Sequence, residues 1–389
     1  MKKTYFLFFA LLLFAGAVHA QTNESDASLV YIDGTYYRLE GETATSIRPE
    51  DAGKSSRLLS LAWEPDYPLH ITVPSEISYE GKTYQVTQIG GGTFRCCYEL
   101  LSATLPSTIT SIGNAAFMKC EKLQYVIIPE SVSYIGVGAF DECFGLSSIV
   151  IPEGIDTIRT NTFSNCTSLS AVTLPSSLKT IEPYAFVMST ALPYLEIPKS
   201  VKTIGEGAFC NCHSLMSISL PKGIKRIETR TFYNCQALTS IKIPEGVKAI
   251  ASEAFAGCTS LSSVTLPESI ISIDVQAFTD IPDTADIYCK AKNPCKISAR
   301  TFNFKSTLHV PYGCKEKYEN ATFWSNFTNI VEMDEEKYDE PVYYGETGVA
   351  PAVSDDTASD GQFYDLQGRP ADGTKKGIYI KNGKKVLVR

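Results

Sequence analysis

Proline recurs with a fixed 23-residue period through the middle of the chain, and this period constrains the fold more than any other feature. The prolines are Pro106, Pro129, Pro152, Pro175, Pro198, Pro221, Pro244 and Pro267. Internal repeats of this length are typical of solenoids, in which one unit cannot bury its apolar side chains alone and stacked units share a continuous core. We therefore expect a repeat solenoid.

Other residue types keep fixed distances from each proline. Isoleucine follows after six residues, phenylalanine after eleven, cysteine in most units after fourteen and leucine after seventeen. The phenylalanines are Phe117, Phe140, Phe163, Phe186, Phe209, Phe232, Phe255 and Phe278. The cysteines are Cys120, Cys143, Cys166, Cys212, Cys235 and Cys258, with Ser189 and Ile281 in two units. We predict that both columns form the structural core.

The last residues of each unit predict a short strand. In the first unit Val126 and Ile128 alternate with more polar positions, and this period of two puts both side chains on the inner face of a sheet. The proline that follows has no N–H to donate, so the parallel sheet ends there. Between proline and phenylalanine we predict a short turn or helical arc that carries the second apolar wall.

The repeats divide the chain into a solenoid and its caps. Residues 21–90 contain three strand-like runs without the 23-residue spacing and predict a β-rich N-terminal cap. Residues 91–331 form the predicted solenoid, with Trp324, Phe327 and Ile330 covering its last coil. Eight or nine units at about 4.8 Å per strand would make a slab on the order of 40 Å long.

Residues 1–20 have the pattern of a secretory signal peptide. Two lysines precede an apolar run from Tyr5 to Val18, and small residues at Val18 and Ala20 occupy the cleavage positions. A membrane anchor needs about 20 apolar residues and different flanking residues. We therefore expect export of a chain without a transmembrane segment, to the medium or the cell surface.

The repeat pattern resembles the BspA-like class of leucine-rich repeats over roughly residues 71 to 331. This resemblance implies a right-handed coil with a parallel β-sheet on one face. It also implies a secreted or surface protein of the kind found in anaerobic oral and gut bacteria and some protozoa, with a role in adhesion and host-protein binding. A function inferred from a fold is an analogy, because solenoids of this kind serve many ligands.

Two further segments follow the repeats. Residues 332–360 are rich in acidic side chains and predict an acidic flexible linker. Residues 361–389 predict a short β tail, with a hairpin around Asn382 and Gly383. The tail is similar to the end of the C-terminal sorting domain read by the type IX secretion machinery, although such domains are usually longer. A sorting signal, which would place the protein on the outer-membrane surface, and a merely structural tail are both open interpretations.

The 12 cysteines invite a disulfide framework in an exported protein. In-register stacking keeps the Cβ vectors of the cysteine column parallel rather than convergent, so we expect unbridged thiols that act as small apolar side chains. Four cysteines outside the column are better disulfide candidates, namely Cys96, Cys210, Cys295 and Cys314. Cys210, Cys212 and His213 lack the four convergent ligands of a zinc site.

Composition and motifs argue against catalysis and nucleic-acid binding. The chain carries a net charge of −8, only 4 histidines and no basic stripe readable along the sequence. Phosphate-binding, metalloprotease and nucleophile-elbow motifs are absent from the sequence. We therefore expect a non-enzymatic protein with no metal, no cofactor and no nucleic-acid partner.

The outward strand positions provide the candidate binding residues. Two and four residues before each proline the side chains are mostly small and hydroxylated. The larger exceptions are Tyr125, Ile127, Tyr194, Glu196 and Lys242. Our first interpretation is a binding face for a protein ligand on a host or neighbouring cell, since tyrosine is enriched at interfaces. The alternatives are a carbohydrate-binding surface protein and a structural cell-envelope protein without a soluble ligand.

Overall fold

The computed structural model describes residues 21–23, 26–32, 35–47 and 69–334, and the strands within 363–388. The predicted signal peptide lies outside these residues, and so does the predicted linker after its first three residues.

Seven strands precede the repeats. They are β1 (Gln21–Asn23), β2 (Asp26–Ile32), β3 (Thr35–Glu40), β4 (Thr43–Ile47), β5 (His70–Thr72), β6 (Glu76–Tyr79) and β7 (Lys82–Ile89). Strands β1 to β4 form an antiparallel meander, and β4 then pairs in parallel with β7. A two-residue turn at Glu80 and Gly81, both with positive φ, joins β6 to β7 as a tight hairpin requires.

The repeats contribute longer strands, of three residues or in β22 four, that alternate with two-residue strands. They are β8 (Ser102–Thr104), β9 (Ser111–Ile112), β10 (Tyr125–Ile127), β11 (Tyr134–Ile135), β12 (Ser148–Val150), β13 (Thr157–Ile158), β14 (Ala171–Thr173), β15 (Thr180–Ile181), β16 (Tyr194–Glu196), β17 (Thr203–Ile204), β18 (Ser217–Ser219), β19 (Arg226–Ile227), β20 (Ser240–Lys242), β21 (Ala249–Ile250), β22 (Ser263–Leu266) and β23 (Ser272–Ile273). The even-numbered strands stack along one side as the strand ladder, in hydrogen-bonded groups β8–β10, β12–β14, β16–β18 and β20–β22 that contact one another. The odd-numbered strands stack along a second side as the arc ladder, in groups β9–β11, β13–β17 and β19–β23. Pairing within both ladders is parallel, and each residue faces its equivalent in the neighbouring repeat.

The C-terminal coils prolong the strand ladder. They contain β24 (Asp286–Cys289), β25 (Thr307–Val310), helix α1 (Lys315–Glu319), a 3-10 helix (Trp324–Asn326) and β26 (Asn329–Glu332). Strands β24, β25 and β26 pair in parallel with the preceding coil. At the other end β5 pairs in parallel with β8, so the ladder already begins within the segment predicted as cap. The solenoid therefore has about 11 turns, more than the eight or nine predicted.

The C-terminal tail forms a separate small sheet. Its strands are β27 (Phe363–Tyr364), β28 (Pro370–Ala371), β29 (Gly377–Lys381) and β30 (Lys384–Val388), all paired antiparallel. The pairing of β29 with β30 is the hairpin predicted for this segment.

A stack of phenylalanine rings runs through the core. Each of the eight phenylalanines predicted for the core is fully buried, and the rings of successive coils lie 5.1 to 5.6 Å apart between Phe117 and Phe278. Phe94 and Phe302 extend the stack by one ring at each end. Trp324 and Phe327 pack against Phe302 and are buried, so they cover the end of the phenylalanine stack.

The cysteine column contributes hydrogen bonds as well as volume. The Cys120 thiol donates to the Phe94 carbonyl oxygen at 3.0 Å, and every later member of the column donates in the same way to a phenylalanine carbonyl of the preceding coil. Ser189 makes the same bond to Phe163 at 3.0 Å. This position of the repeat therefore favours a small side chain that can donate a hydrogen bond. The expectation that the cysteines act only as small apolar side chains was incomplete.

None of the column thiols is bridged to its neighbour. Cys120, Cys143, Cys166, Cys212, Cys235 and Cys258 are buried free thiols. The proposed off-column disulfides are also absent, since Cys96, Cys210, Cys295 and Cys314 are free thiols in the described coils.

Each repeat contains two residues with left-handed backbone, nine and thirteen residues after the proline. The first set is Ala115, Gly138, Asn161, Tyr184, Gly207, Arg230, Glu253 and Gln276. The second set is Lys119, Glu142, Asn165, Met188, Asn211, Asn234, Gly257 and Asp280. Alternate N–H groups of this turn point at the next coil, so that Ala115, Phe117 and Lys119 each donate to a carbonyl of that coil at 2.8 Å. A third ladder of backbone hydrogen bonds therefore holds the coils together.

Candidate functional site

The strand ladder places the predicted binding residues on one surface. In each three-residue strand the central side chain is directed into the core and its two neighbours are directed outward, because side chains alternate along a strand. Tyr125 and Ile127 flank buried Val126 in β10, with 42% and 61% of their surface exposed. Tyr194, which is 55% exposed, and Glu196 flank buried Leu195 in β16.

Two residues complete an apolar patch between these strands. Val150 in β12 is 51% exposed and follows Ile127 in the same column, while Ala171 in β14 is exposed in the tyrosine column. We call Tyr125, Ile127, Val150, Ala171 and Tyr194 the docking patch. The three steps from β10 to β16 span about 14 Å at 4.8 Å per strand. Val150 was not predicted as a site residue, because a single valine is common in a strand. Only the stacking of the coils places it beside Ile127.

Charged side chains lie beside the docking patch rather than within it. Glu196 lies next to Tyr194 on the same strand, and Lys242 belongs to β20, two coils further along the ladder. Both side chains are exposed, and Ser219 lies between them in the same column. The structure thus brings four of the five predicted residues near one another and places Lys242 at the margin.

Two positions expected on this face are buried instead. Ser102 is 5% exposed because it lies between His70 and Tyr125 in the sheet and hydrogen bonds to the His70 Nδ1 atom at 2.7 Å. Thr265 is also 5% exposed because its sheet neighbours, Lys242 and Tyr288, carry long side chains that cover it.

The far end of the strand face carries a polar cluster that the sequence did not reveal. The rings of Tyr288 and His309 stack at 4.4 Å, and His309 Nε2 lies 2.8 Å from Asp286 Oδ1. Partial burial raises the pKa of the Tyr288 phenol. The cluster was not predicted because the 23-residue spacing ends before it. In the sheet the backbone of Asp286 pairs with that of Thr307, whereas a 23-residue step would pair it with His309. Asp286 and His309 satisfy each other's hydrogen-bonding groups, and the stacked rings of Tyr288 and His309 contribute to sheet packing.

The remaining polar groups do not form the convergent set that a metal site needs in the described coils. In residues 69–334 no three His, Cys, Asp or Glu side chains converge as metal ligands. Cys212 donates into the core to Phe186, whereas His213 lies beside the Asn234 side-chain amide at 3.2 Å, so the two side chains diverge. No helix in the described segments has the length and apolar character needed to cross a membrane.

The expectation that no basic stripe exists is wrong for the arc side. Four residues after consecutive prolines stand Lys179, Lys202, Lys225 and Lys248, all exposed, and we call them the lysine column. Each is separated from the next by one full repeat of sequence, so no local run of basic residues signals them. The coil brings them to about 4.8 Å per step.

Together these features define the class of the protein. Parallel ladders built from 23-residue units, with phenylalanine, isoleucine and leucine directed into one continuous core, form a leucine-rich repeat solenoid.

The family follows from the comparison with family models. The model described as BspA type leucine rich repeat region matches residues 87–215 and 179–309, with six copies, which covers more than half of the chain. The chain belongs to this family.

Solved structures of bacterial proteins are similar to this chain. A leucine-rich repeat protein from Bacteroides ovatus is 24% identical, with a TM-score of 0.52 over 78% of this chain and 76% of that chain. A leucine rich cell surface protein from Faecalibacterium prausnitzii is 26% identical, with a TM-score of 0.33 over 66% of this chain and 93% of that one. A leucine rich repeat protein of T. pallidum is 25% identical, with a TM-score of 0.39 over 58% and 86%. No curated protein matches the chain.

Proposed function

We propose that this protein is exported and binds a protein partner through the docking patch. The observation that carries the proposal is the patch itself: Tyr125, Ile127, Val150 and Tyr194 are large apolar side chains, each 42% exposed or more. Each of these side chains stands on a strand that is paired in parallel with a neighbour, β8 with β10, β12 with β14 and β16 with β18, so little backbone entropy is lost when a partner binds. Exposed apolar clusters with tyrosine are enriched at protein interfaces.

A protein partner fits the patch better than a glycan does. Ile127 and Val150 lie side by side with no hydrogen-bonding group of their own, and Ala171 adds a methyl group between the tyrosines. Sugar hydroxyls buried against such aliphatic surface would lose hydrogen bonds to water without replacement. An apolar side chain of a protein partner gains free energy from the same burial.

The proposed export rests on the leader sequence. The charged start, the apolar run and the small residues before Gln21 together have the pattern of a cleaved secretory signal. Expression of the full chain in a Gram-negative host should give a mature protein whose N-terminus is Gln21. A retained leader in the purified protein would contradict this part of the proposal.

We also propose that the protein acts without catalysis. Leucine-rich repeat proteins are typically scaffolds rather than enzymes. The only histidine-carboxylate pair on the strand face, among the described residues, is the packed pair of His309 and Asp286. The proposed role therefore depends on surface complementarity alone.

The test begins with a panel of immobilised extracellular-matrix proteins set beside a glycan array. The proposal expects at least one saturable protein ligand. The Tyr125→Ala/Tyr194→Ala double variant should then weaken binding by at least about 2 kcal/mol, which is roughly thirtyfold in Kd. Tyr312→Ala is the matched control, because Tyr312 is 66% exposed but lies in the C-terminal cap. Its affinity should be unchanged.

Three results would contradict the proposal. Binding confined to the glycan array would favour the carbohydrate-binding alternative, and no binding on either panel would favour a structural cell-envelope role. An unchanged affinity in a folded double variant would place the site outside the docking patch.

A further inference from the structure

We propose that the lysine column is a second binding site, which takes a linear acidic polysaccharide. The column lies on the arc side of the coils, six residues along the chain from the strand-face column that contains Glu196 and Lys242. This site is independent of the docking patch and of its protein partner.

Backbone hydrogen bonds fix two of the three steps of the column. The Lys202 N–H donates to the Lys179 carbonyl at 2.8 Å, and the Lys248 N–H donates to the Lys225 carbonyl at 2.9 Å. These bonds join the column as two pairs, and the arc strands β17 and β19 between the pairs are not hydrogen-bonded to each other. Because the four lysines occupy equivalent positions of consecutive coils, their ammonium groups form a row with a step of about 4.8 Å and a length of about 14 Å.

The side chains lean along this ladder in one direction. The Lys202 side chain crosses Gly223 of the next coil, where a Cβ atom would lie only 2.8 Å from Lys202 Cδ. The Lys225 side chain crosses Gly246 in the same way, with Nζ 3.2 Å from where a Cβ atom would lie. Glycine at these two positions leaves room for the lysines to lie in a row.

The column is also the centre of a larger basic surface. The turn segments 175–180, 198–203, 221–226 and 244–249 contain the column together with Lys199, Lys222 and Arg226, and their one acidic residue is Glu245. Arg226 is ion-paired to Glu228 and Asp274, and Lys179 lies 3.5 Å from Asp156. No described carboxylate forms an ion pair with Lys202, Lys225 or Lys248. Three column charges are thus available to an anion.

The chemistry of this surface selects among polyanions. These four segments contain no aromatic residue, so bases of single-stranded nucleic acid would have nothing to stack on. Their large aliphatic residues, Leu178, Val201, Ile224 and Val247, are fully buried and cannot insert into a lipid surface. Evenly spaced single charges along a line match a stiff polysaccharide that carries an acidic group on successive sugar units. Its stiffness also reduces the ordering cost of binding.

The experiment measures heparin binding by the mature protein at about 150 mM salt. The probes for comparison are a DNA duplex of equal charge and polyglutamate. The triple variant Lys202→Gln/Lys225→Gln/Lys248→Gln should bind heparin at least tenfold more weakly, with an unchanged melting temperature. The plot of log K against log salt has a negative slope, and its magnitude should be smaller by about two in the variant, because fewer counterions are released.

The matched control is Lys292→Gln/Lys305→Gln/Lys315→Gln, which removes the same charge from exposed lysines outside the column. Its heparin affinity should stay within twofold of the wild type, as should that of the Tyr125→Ala/Tyr194→Ala variant. Equal losses in both triple variants, or no binding of heparin by the wild type, would overturn the proposal. Tighter binding of DNA or polyglutamate than of heparin would overturn the choice of polysaccharide.

Discussion

Single residues in this solenoid are selected by what they contact in the neighbouring coil. The cysteine column illustrates this: its position in the core could be predicted from the repeat, but its role as a donor to the phenylalanine carbonyl could not. A cysteine reads as a small hydrophobe in sequence, and only the substitution by Ser189 hinted at a hydrogen bond. The same slot in the last regular unit holds Ile281, which fills the space without donating.

The buried thiols should make the protein sensitive to alkaline pH. Burial raises the pKa of the Cys258 thiol to about 12, and burial also raises the pKa of Cys143, Cys166, Cys212 and Cys235. An unfolded thiol titrates near pH 8.5, so between these values the unfolded chain loses protons that the folded chain keeps. The free energy of unfolding therefore falls as pH rises above about 8.5, by about 1.4 kcal/mol per pH unit for each thiol.

Cys258→Ser tests this effect, because serine preserves the donor as Ser189 does. Urea unfolding at several pH values should show the same stability as wild type near neutral pH, within about 1 kcal/mol. Above about pH 9.5 the variant's stability should fall less steeply than that of the wild type, by about 1.4 kcal/mol per pH unit. Identical slopes would show that this thiol does not titrate differently in the two states.

The phenylalanine stack should dominate stability at the residue level. Phe163 is fully buried, with the rings of Phe140 and Phe186 at 5.6 and 5.4 Å. Phe163→Ala should therefore cost about 3–5 kcal/mol in urea unfolding. Tyr194→Ala, on the exposed strand face, should change stability by less than about 0.5 kcal/mol. Similar losses in the two variants would contradict the assignment of the inner and outer columns.

At the scale of elements, the turn after each isoleucine departs most from what sequence indicates. Glycine and asparagine occupy 7 of its 16 left-handed positions, and most of these lie thirteen residues after the proline. The position nine residues after the proline also carries alanine, tyrosine, arginine and glutamate, so residue propensity does not mark it. The left-handed positions persist because the alternating backbone directs every second N–H group of the turn to a carbonyl of the next coil. Tertiary hydrogen bonds thus offset a local conformational cost that sequence patterns do not show.

Ala115 offers a direct test of this cost. It has φ of 53°, so Ala115→Gly should relieve backbone strain and stabilise the protein by up to about 1 kcal/mol. The adjacent Ala116 is fully buried and is absent from the positive-φ positions. Ala116→Gly should instead destabilise by about 1 kcal/mol, through lost packing and added chain flexibility. Thermal unfolding of the two variants measures the difference, and equal shifts would argue against strain at position 115.

For the whole molecule, the 23-residue spacing was sufficient to predict the ladder, its buried columns and its outward face. It was insufficient at the ends, where His70 pairs with Ser102 over a longer interval than the repeat and Asp286 pairs with Thr307 over a shorter one. The lengths of the loops at the two ends are set by the segments that cover the end coils, and not by the 23-residue repeat. Surface clusters such as Ile127 with Val150, or Lys202 with Lys225, join equivalent positions of successive repeats and emerge only once the register is known.

The in-register stack is the central claim, and native thiol mapping tests it most directly. Iodoacetamide applied to the native protein near neutral pH, followed by mass spectrometry, should label half-exposed Cys96 first. The six buried column thiols, Cys120, Cys143, Cys166, Cys212, Cys235 and Cys258, should react only after denaturant is added. A column thiol that reacts in the native protein as fast as Cys96, or a disulfide between Cys120 and Cys143, would contradict the stack.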